Sequence, residues 1–221
     1  MIKIFIYDFD GTLTPYSMPK YDLVHKCNLT DEELYGKIKK YIKENNVSIY
    51  VAFYNILYEL LKKNNIDINI ENISLGADKI KLNEGVIEYF EKYKNYKHYV
   101  VTSGLKDYIL KTKIGDYLID VYGVEVNYID KKIKRLLTDD DKIKAIKDII
   151  NKNKCNGSDI VYFGDGLTDM LAFSYVHEIG GKCVFINNTN NEIIDNEFID
   201  IVVDADYSNN GEIDCFISSY L

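Results

Sequence analysis

The feature that most constrains this chain is a repeated way of ending an apolar run. Residues 2–7 are short and mostly apolar and stop at Asp8-Phe9-Asp10-Gly11-Thr12. Residues 99–101 stop at Thr102-Ser103-Gly104, residues 160–163 at Gly164-Asp165-Gly166, and residues 199–203 at Asp204. Such continuous short runs suit strands buried on both faces, as in a parallel sheet. Helical stripes lie between them. Residues 84–96 align Val86, Tyr89, Phe90 and Tyr93, and residues 139–152 align Ile143, Ile146, Ile149 and Ile150 behind a Thr138 N-cap and three acids. Strands alternating with helices predict an α/β fold. Ligands of such sheets bind beyond the carboxyl ends of the strands, so the polar endings predict one shared rim.

Residues 16–79 break this rhythm. Thr30 and Glu33 form a capping box ahead of a stripe of Leu34, Ile38, Tyr41 and Ile42; Tyr50, Phe53, Tyr54, Leu57 and Leu61 make a second stripe. A helical cap domain over residues 16–79 is expected, inserted into a core of residues 1–15 and 80–221. It interrupts the chain beside the densest acid motif, over the rim. Residues 121–137 read as a hairpin turning near Asp130-Lys131, and residues 187–191 as a polar turn.

Composition narrows the class. The chain has 221 residues, a formal charge of −8 and 47% hydrophobic residues, an ordinary globular balance. The acidic surplus argues against a nucleic-acid partner. No apolar run reaches the ~20 residues of a membrane span. The N-terminal run meets Asp8 too soon for a signal peptide. Cys27, Cys155, Cys183 and Cys215 have no CxxC spacing, so a cytoplasmic chain with free thiols is expected. Arg135 is the single arginine. Any anion clamp must therefore be lysine, hydroxyl, backbone amide or metal.

The endings carry chemistry. Asp8 and Asp10, two apart on a continuing strand, would face one side, and carboxylates that close repel unless a cation or shared proton relieves them. Gly11 permits a sharp turn and Thr12 offers a hydroxyl and an amide. With Asp165 and Asp169, four carboxylates converge on one rim, which suits a hard cation, best Mg²⁺. Ser103 and Gly104, at a helix start, offer a hydroxyl and amides to a phosphate. Lys142 brings a fixed positive charge.

These segments resemble the haloacid dehalogenase-like phosphohydrolases. Asp8-Phe9-Asp10-Gly11-Thr12-Leu13-Thr14 matches the family's first motif; Val100 to Gly104, Lys142 and Gly164 to Asp169 resemble the second, third and fourth. The order and steps are similar to those of the phosphoserine-phosphatase-like branch with a C1 cap, and the resemblance spans nearly the whole chain. It implies a Rossmann-like parallel sheet core and a two-step phosphoryl transfer. Asp8 would attack phosphorus and form an aspartyl-phosphate. Asp10 would protonate the leaving oxygen and then activate water. Asp8, the backbone carbonyl of Asp10, and Asp165 would bind Mg²⁺. Thr12, Ser103, Gly104 and Lys142 would bind the phosphoryl group, and Asp169 would orient Lys142 or a metal-bound water. The expected substrate is a small phosphorylated metabolite.

Four departures separate the chain from phosphoserine phosphatases. Thr168 replaces their Asn, Leu105 their second Gly, and neither the acids that follow their first motif nor their cap arginine is present. A phosphatase is expected, with phosphoserine disfavoured as its substrate. The alternatives are a phosphotransferase or phosphomutase of the same superfamily, or a non-catalytic phosphate-binding module. His25, His98 and His177 read as structural, Asp139 to Asp141 as helix-start acids, and Gly180-Gly181 as a turn. Tyr16, Tyr21, Tyr50, Phe53, Tyr54 and Tyr58 read mostly as packing on helix faces, with a lid pocket as the sharper alternative. Oligomeric state is left open.

Overall fold

The structure, a computed structural model, describes residues 3–188 and 197–221. Seven strands form one sheet: β1 (Ile4–Tyr7), β2 (Lys97–Leu105), β3 (Leu118–Asn127), β4 (Lys132–Arg135), β5 (Ile160–Gly164), β6 (Lys182–Asn187) and β7 (Ile201–Asp204). Their order is β4-β3-β2-β1-β5-β6-β7. All neighbours are parallel except β3 and β4. The helices are α1 (Asp22–His25), α2 (Asp31–Asn45), α3 (Ile49–Lys63), α4 (Ile70–Ile73), α5 (Val86–Lys92), α6 (Lys106–Ile109), α7 (Asp139–Asn153), α8 (Met170–Glu178) and α9 (Glu212–Tyr220).

β1 shows why the sheet sits centrally. Phe5 and Tyr7 join Val100, Val161 and Phe163 on one face, while Ile4 and Ile6 join Val101, Ile160 and Tyr162 on the other. All are buried. Each fully buried side chain of this size contributes ~1.5–3 kcal/mol, so both faces need helices. On the first face, Val86, Tyr89 and Phe90 of α5 and Ile213 and Ile217 of α9 supply the cover. On the second it comes from Ile146 and Ile149 of α7 and Phe173 and Val176 of α8.

Between β1 and β2 the described elements are helical. α2 opens on the Thr30–Glu33 capping box and packs against α3. Their apolar stripes, with Leu34, Ile38, Phe53 and Leu57, belong to the same buried cluster as the first sheet face. α7 opens on a second capping box, Thr138 with Asp141. The hairpin exists, but its first strand is itself a parallel member of the sheet; only β4 runs back.

One expectation needs correction. Ser103 and Gly104 do not start a helix. β2 continues to Leu105 through a register shift between Val101 and Leu105, so both lie in the end of the strand, ahead of the four-residue α6. The last strand begins at Ile201 rather than 199 because Asp200 turns its carboxylate back onto Lys182 and the Cys183 N–H. The expected polar turn at 187–191 falls mainly outside the described residues. All four cysteines are free. Among the described residues no helix is long and apolar enough to cross a membrane.

Candidate active site

Register brings the strand endings together. Tyr7 lies opposite Val100 and Phe163, and the Asp8 N–H extends the ladder by donating to Phe163 O at 2.8 Å. Asp8 and Asp165 therefore leave the sheet side by side. One carboxylate oxygen each from Asp8, Asp165 and Asp169 lies within 4.8 Å of the others. Gly11 turns the chain here with φ +82°, and a Cβ on it would collide with the Asp165 carboxylate. Only glycine combines that backbone with that neighbour.

Lys142 enters from the first turn of α7 and is 1% exposed. Its Nζ donates to Asp169 Oδ1 at 2.7 Å and lies 3.2 Å from Asp8 Oδ2. Burial alone would depress an ammonium; Asp169 and Asp8 outweigh it and hold Lys142 well above its ordinary range. The Asp8 carboxylate also accepts the Phe9 N–H at 2.8 Å. Burial pushes Asp8 up to about 6, with Lys142 opposing and Asp169 reinforcing the rise.

Asp169 is fully buried and saturated. Its Oδ1 accepts from Lys142 and from the Tyr162 hydroxyl at 2.6 Å, and its Oδ2 accepts the N–H groups of Asp165 and Gly166 at 3.2 and 3.4 Å. With both oxygens so engaged, it fixes Lys142 and the backbone of the Asp165 loop at once.

Asp10 behaves differently from the expectation for a continuing strand. β1 ends at Tyr7, the chain turns, and Asp10 Oδ1 accepts the hydroxyl of Tyr21 from the helical insertion. Burial pushes Asp10 up to about 7; the Tyr21 hydrogen bond pulls it down and Asp8 pushes it up.

The expected phosphate-binding groups are partly engaged. Thr12 is buried, and its hydroxyl lies 3.4 Å from Asp165 Oδ1. The Gly104 N–H donates to Thr102 Oγ1 at 3.0 Å, inside the bulged strand end. Ser103 stands at the same end, and its carbonyl accepts the Tyr54 hydroxyl at 2.7 Å. The turn itself is pinned from below: Thr12 O accepts Asn83 Nδ2 at 2.8 Å and the Tyr207 hydroxyl at 3.1 Å, and Gly11 O accepts Asn188 Nδ2 at 3.2 Å.

Sequence reasoning missed Tyr162 and Tyr207, and read Tyr21, Tyr50 and Tyr54 chiefly as packing. They are packed, yet their hydroxyls end on Asp169, Thr12 O, Asp10, Asp139 and Ser103 O respectively. Asp139 to Asp141 are helix-start acids, as expected, with Asp141 in the capping box. His98 is structural: its Nε2 meets Tyr93 O at 2.9 Å and its Nδ1 the Tyr7 hydroxyl at 3.0 Å.

The description haloacid dehalogenase-like hydrolase matches residues 2–177. A search of curated proteins finds no match. Among solved structures, a phospho-aspartyl intermediate analogue of phosphoserine phosphatase is 21% identical, with a TM-score of 0.67 over 99% of this chain and 98% of that one. A substrate-bound phosphoserine phosphatase is 22% identical, with a TM-score of 0.65 over 91% and 92%. A haloacid dehalogenase family hydrolase from Salmonella enterica serovar Typhi is 15% identical, with a TM-score of 0.70 over 92% and 68%. At these identities the likeness is one of fold. The family match reaches from the first strand into α8, across the positions of the carboxylate–lysine cluster, and the chain belongs to the haloacid dehalogenase-like hydrolases.

Proposed function

We propose that this hydrolase is a Mg²⁺-dependent phosphatase acting on a small phosphomonoester through an aspartyl-phosphate on Asp8. The observation that carries this reading is the buried meeting of Lys142 with Asp8 and Asp169 beside Asp165. Phosphoryl transfer asks chiefly for positioning and for neutralised charge. A single buried lysine faces three carboxylates here, so a second cation is needed before an anionic ester can enter.

The donor set fits Mg²⁺. Carboxylate oxygens are hard ligands, and the ion accepts few of them, completing its shell with water and substrate phosphate. Asp8, Asp165 and the backbone carbonyl of Asp10 would hold it; Asp169, its oxygens already taken, would act on Lys142. When bound, the ion supplies neutralisation of the phosphoryl charge. Asp8, its rotamer fixed by the Phe9 N–H, attacks phosphorus. Lys142, Ser103, Thr12 and Gly104 hold phosphoryl oxygens. Asp10, a carboxyl titrating near neutrality, gives a proton to the leaving oxygen and takes one from the water that hydrolyses the intermediate. The helical insertion of residues 16–79 acts as a cap that excludes bulk water and selects the leaving group. The missing cap arginine points away from phosphoserine and toward another small phosphorylated metabolite, taken up in the cytoplasm.

The test is phosphate release from a generic aryl phosphate, then from a panel of phosphorylated metabolites, with and without Mg²⁺. Release that requires Mg²⁺ and vanishes in Asp8→Asn supports the reading. No release at any pH from acid to alkaline refutes it. Phosphate retained on an alcohol product instead of set free would show a phosphotransferase.

A further inference from the structure

The Tyr21–Asp10 contact crosses from the helical insertion to the turn after β1 and joins a phenol to Asp10, while Lys142 bridges Asp8 and Asp169. Tyr21 is 4% exposed, and its ring lies flat on Tyr108, with centroids 4.4 Å apart and planes at 7°. Tyr108 belongs to α6, which follows β2, so the stack fixes the Tyr21 ring against a side chain carried by the sheet. The hydroxyl is thereby aimed, and the atom it meets is Asp10 Oδ1. A carboxyl has two oxygens and one free rotation. With Oδ1 held by Tyr21, and the Met18 N–H also bonded to the carboxyl, Oδ2 is the oxygen that carries the proton to a leaving group.

From this geometry we infer that Tyr21 is a positioning residue for the proton transfer by Asp10. The assignment rests on the phosphatase reading. In the first step an Asp8 oxygen bonds to phosphorus and the ester P–O bond breaks, its electron pair going to the departing oxygen. The proton on Asp10 Oδ2 passes to that oxygen, which leaves as the alcohol. Asp10 remains as a carboxylate, and the Tyr21 O–H already points at its Oδ1. Without that hydrogen bond the Met18 N–H alone holds the carboxyl, which then presents its proton along the breaking bond less often. Misplacement of a catalytic group by about 1 Å costs on the order of 10²-fold.

A structural role and a positioning role separate by leaving group. An activated aryl phosphate releases a stable phenolate and needs little help from an acid; an alkyl phosphate releases a poor alkoxide and needs the proton. The experiment measures kcat/KM, which reports through the first step, for both esters with Mg²⁺ in the wild type, Tyr21→Phe and Tyr54→Phe. Tyr54 is the control because its hydroxyl also ties the insertion to the rim, at Ser103 O, without touching Asp10. Tyr21→Phe is expected to lose ~10- to 100-fold on the alkyl ester and less than ~3-fold on the aryl ester, a loss at or below the lower end of the ~10²–10⁴-fold that a general acid supplies. Tyr54→Phe is expected to affect both esters alike. If Tyr21→Phe does not fold, Tyr108→Leu, which loosens the stack and keeps the hydroxyl, carries the same expectation of selective loss. Equal loss on both esters, or none on either, overturns the assignment while leaving the phosphatase reading intact. A wild type that cleaves neither ester overturns the reading and the assignment together.

Discussion

Replacing Lys142 by Met tests whether the site is held by charge. The lysine side chain is 1% exposed and bridges Asp8 and Asp169, whose side chains are 9% and 0% exposed. Methionine fills similar volume, so packing changes little and the loss is electrostatic. Two buried carboxylates then face each other, with Asp165 close by and no cation among them. Breaking a buried ion pair by removing one partner costs ~3–5 kcal/mol, a large share of the ~5–15 kcal/mol that stabilises a typical domain. Asp8 offers partial relief by binding a proton, since burial already lifts it to about 6. The penalty is therefore smaller below that pH, where Asp8 is neutral, and larger above it. The chain contains no tryptophan, so urea unfolding is followed by far-UV circular dichroism, at pH 5 and pH 8, without added metal. In an Asp169→Asn background, Lys142→Met is expected to cost less, with a coupling of roughly 1–3 kcal/mol. A loss below ~1 kcal/mol at pH 8, or no coupling to Asp169, would refute charge compensation as what holds this cluster.

Three further outcomes are expected. Gly11→Ala should cost ~1–3 kcal/mol for a non-glycine residue at positive φ and displace Asp165, seen as lower urea stability together with a higher Mg²⁺ requirement. Asp165→Asn should raise the Mg²⁺ concentration for half-maximal phosphate release by roughly 10-fold or more while leaving the fold intact by circular dichroism; an unchanged requirement would remove Asp165 from the ligand set. Burial lowers His98 to about 4, below the ~6.5 of an exposed histidine. The unfolded chain therefore binds the proton first, and the stability that His98 contributes above pH 6.5 is lost progressively as the pH falls toward 4, by up to ~3 kcal/mol. Urea titrations of the wild type and His98→Asn at pH 7 and pH 4.5 should show that extra acid sensitivity in the wild type alone.

Much of the site was legible because its charged groups stand at the ends of strongly patterned elements. Asp8 and Asp165 follow apolar strands, Asp169 stands four residues on at the start of α8, and Lys142 sits in the first turn of a well-capped helix, so the topology of a parallel sheet suffices to collect them. Ser103 and Gly104 were misplaced onto a helix because a glycine after a strand reads as a turn, while the register shift that lets β2 run on to Leu105 leaves no local trace. The tyrosines were harder still. Tyr21, Tyr54 and Tyr162 are buried and aromatic, which satisfies a packing pattern completely. Only the fold shows that each phenol ends on a partner 11, 49 or 7 residues away.

The Thr12 carbonyl joins remote parts of the chain. Asn83 reaches it from the return of the insertion, and Tyr207 from beyond β7, 195 residues downstream. The turn that follows Asp8 is thus held by a hydroxyl from almost the last part of the described fold. A chain shortened before Tyr207 would retain every charged member of the cluster and lose the hydroxyl that holds the Thr12 carbonyl.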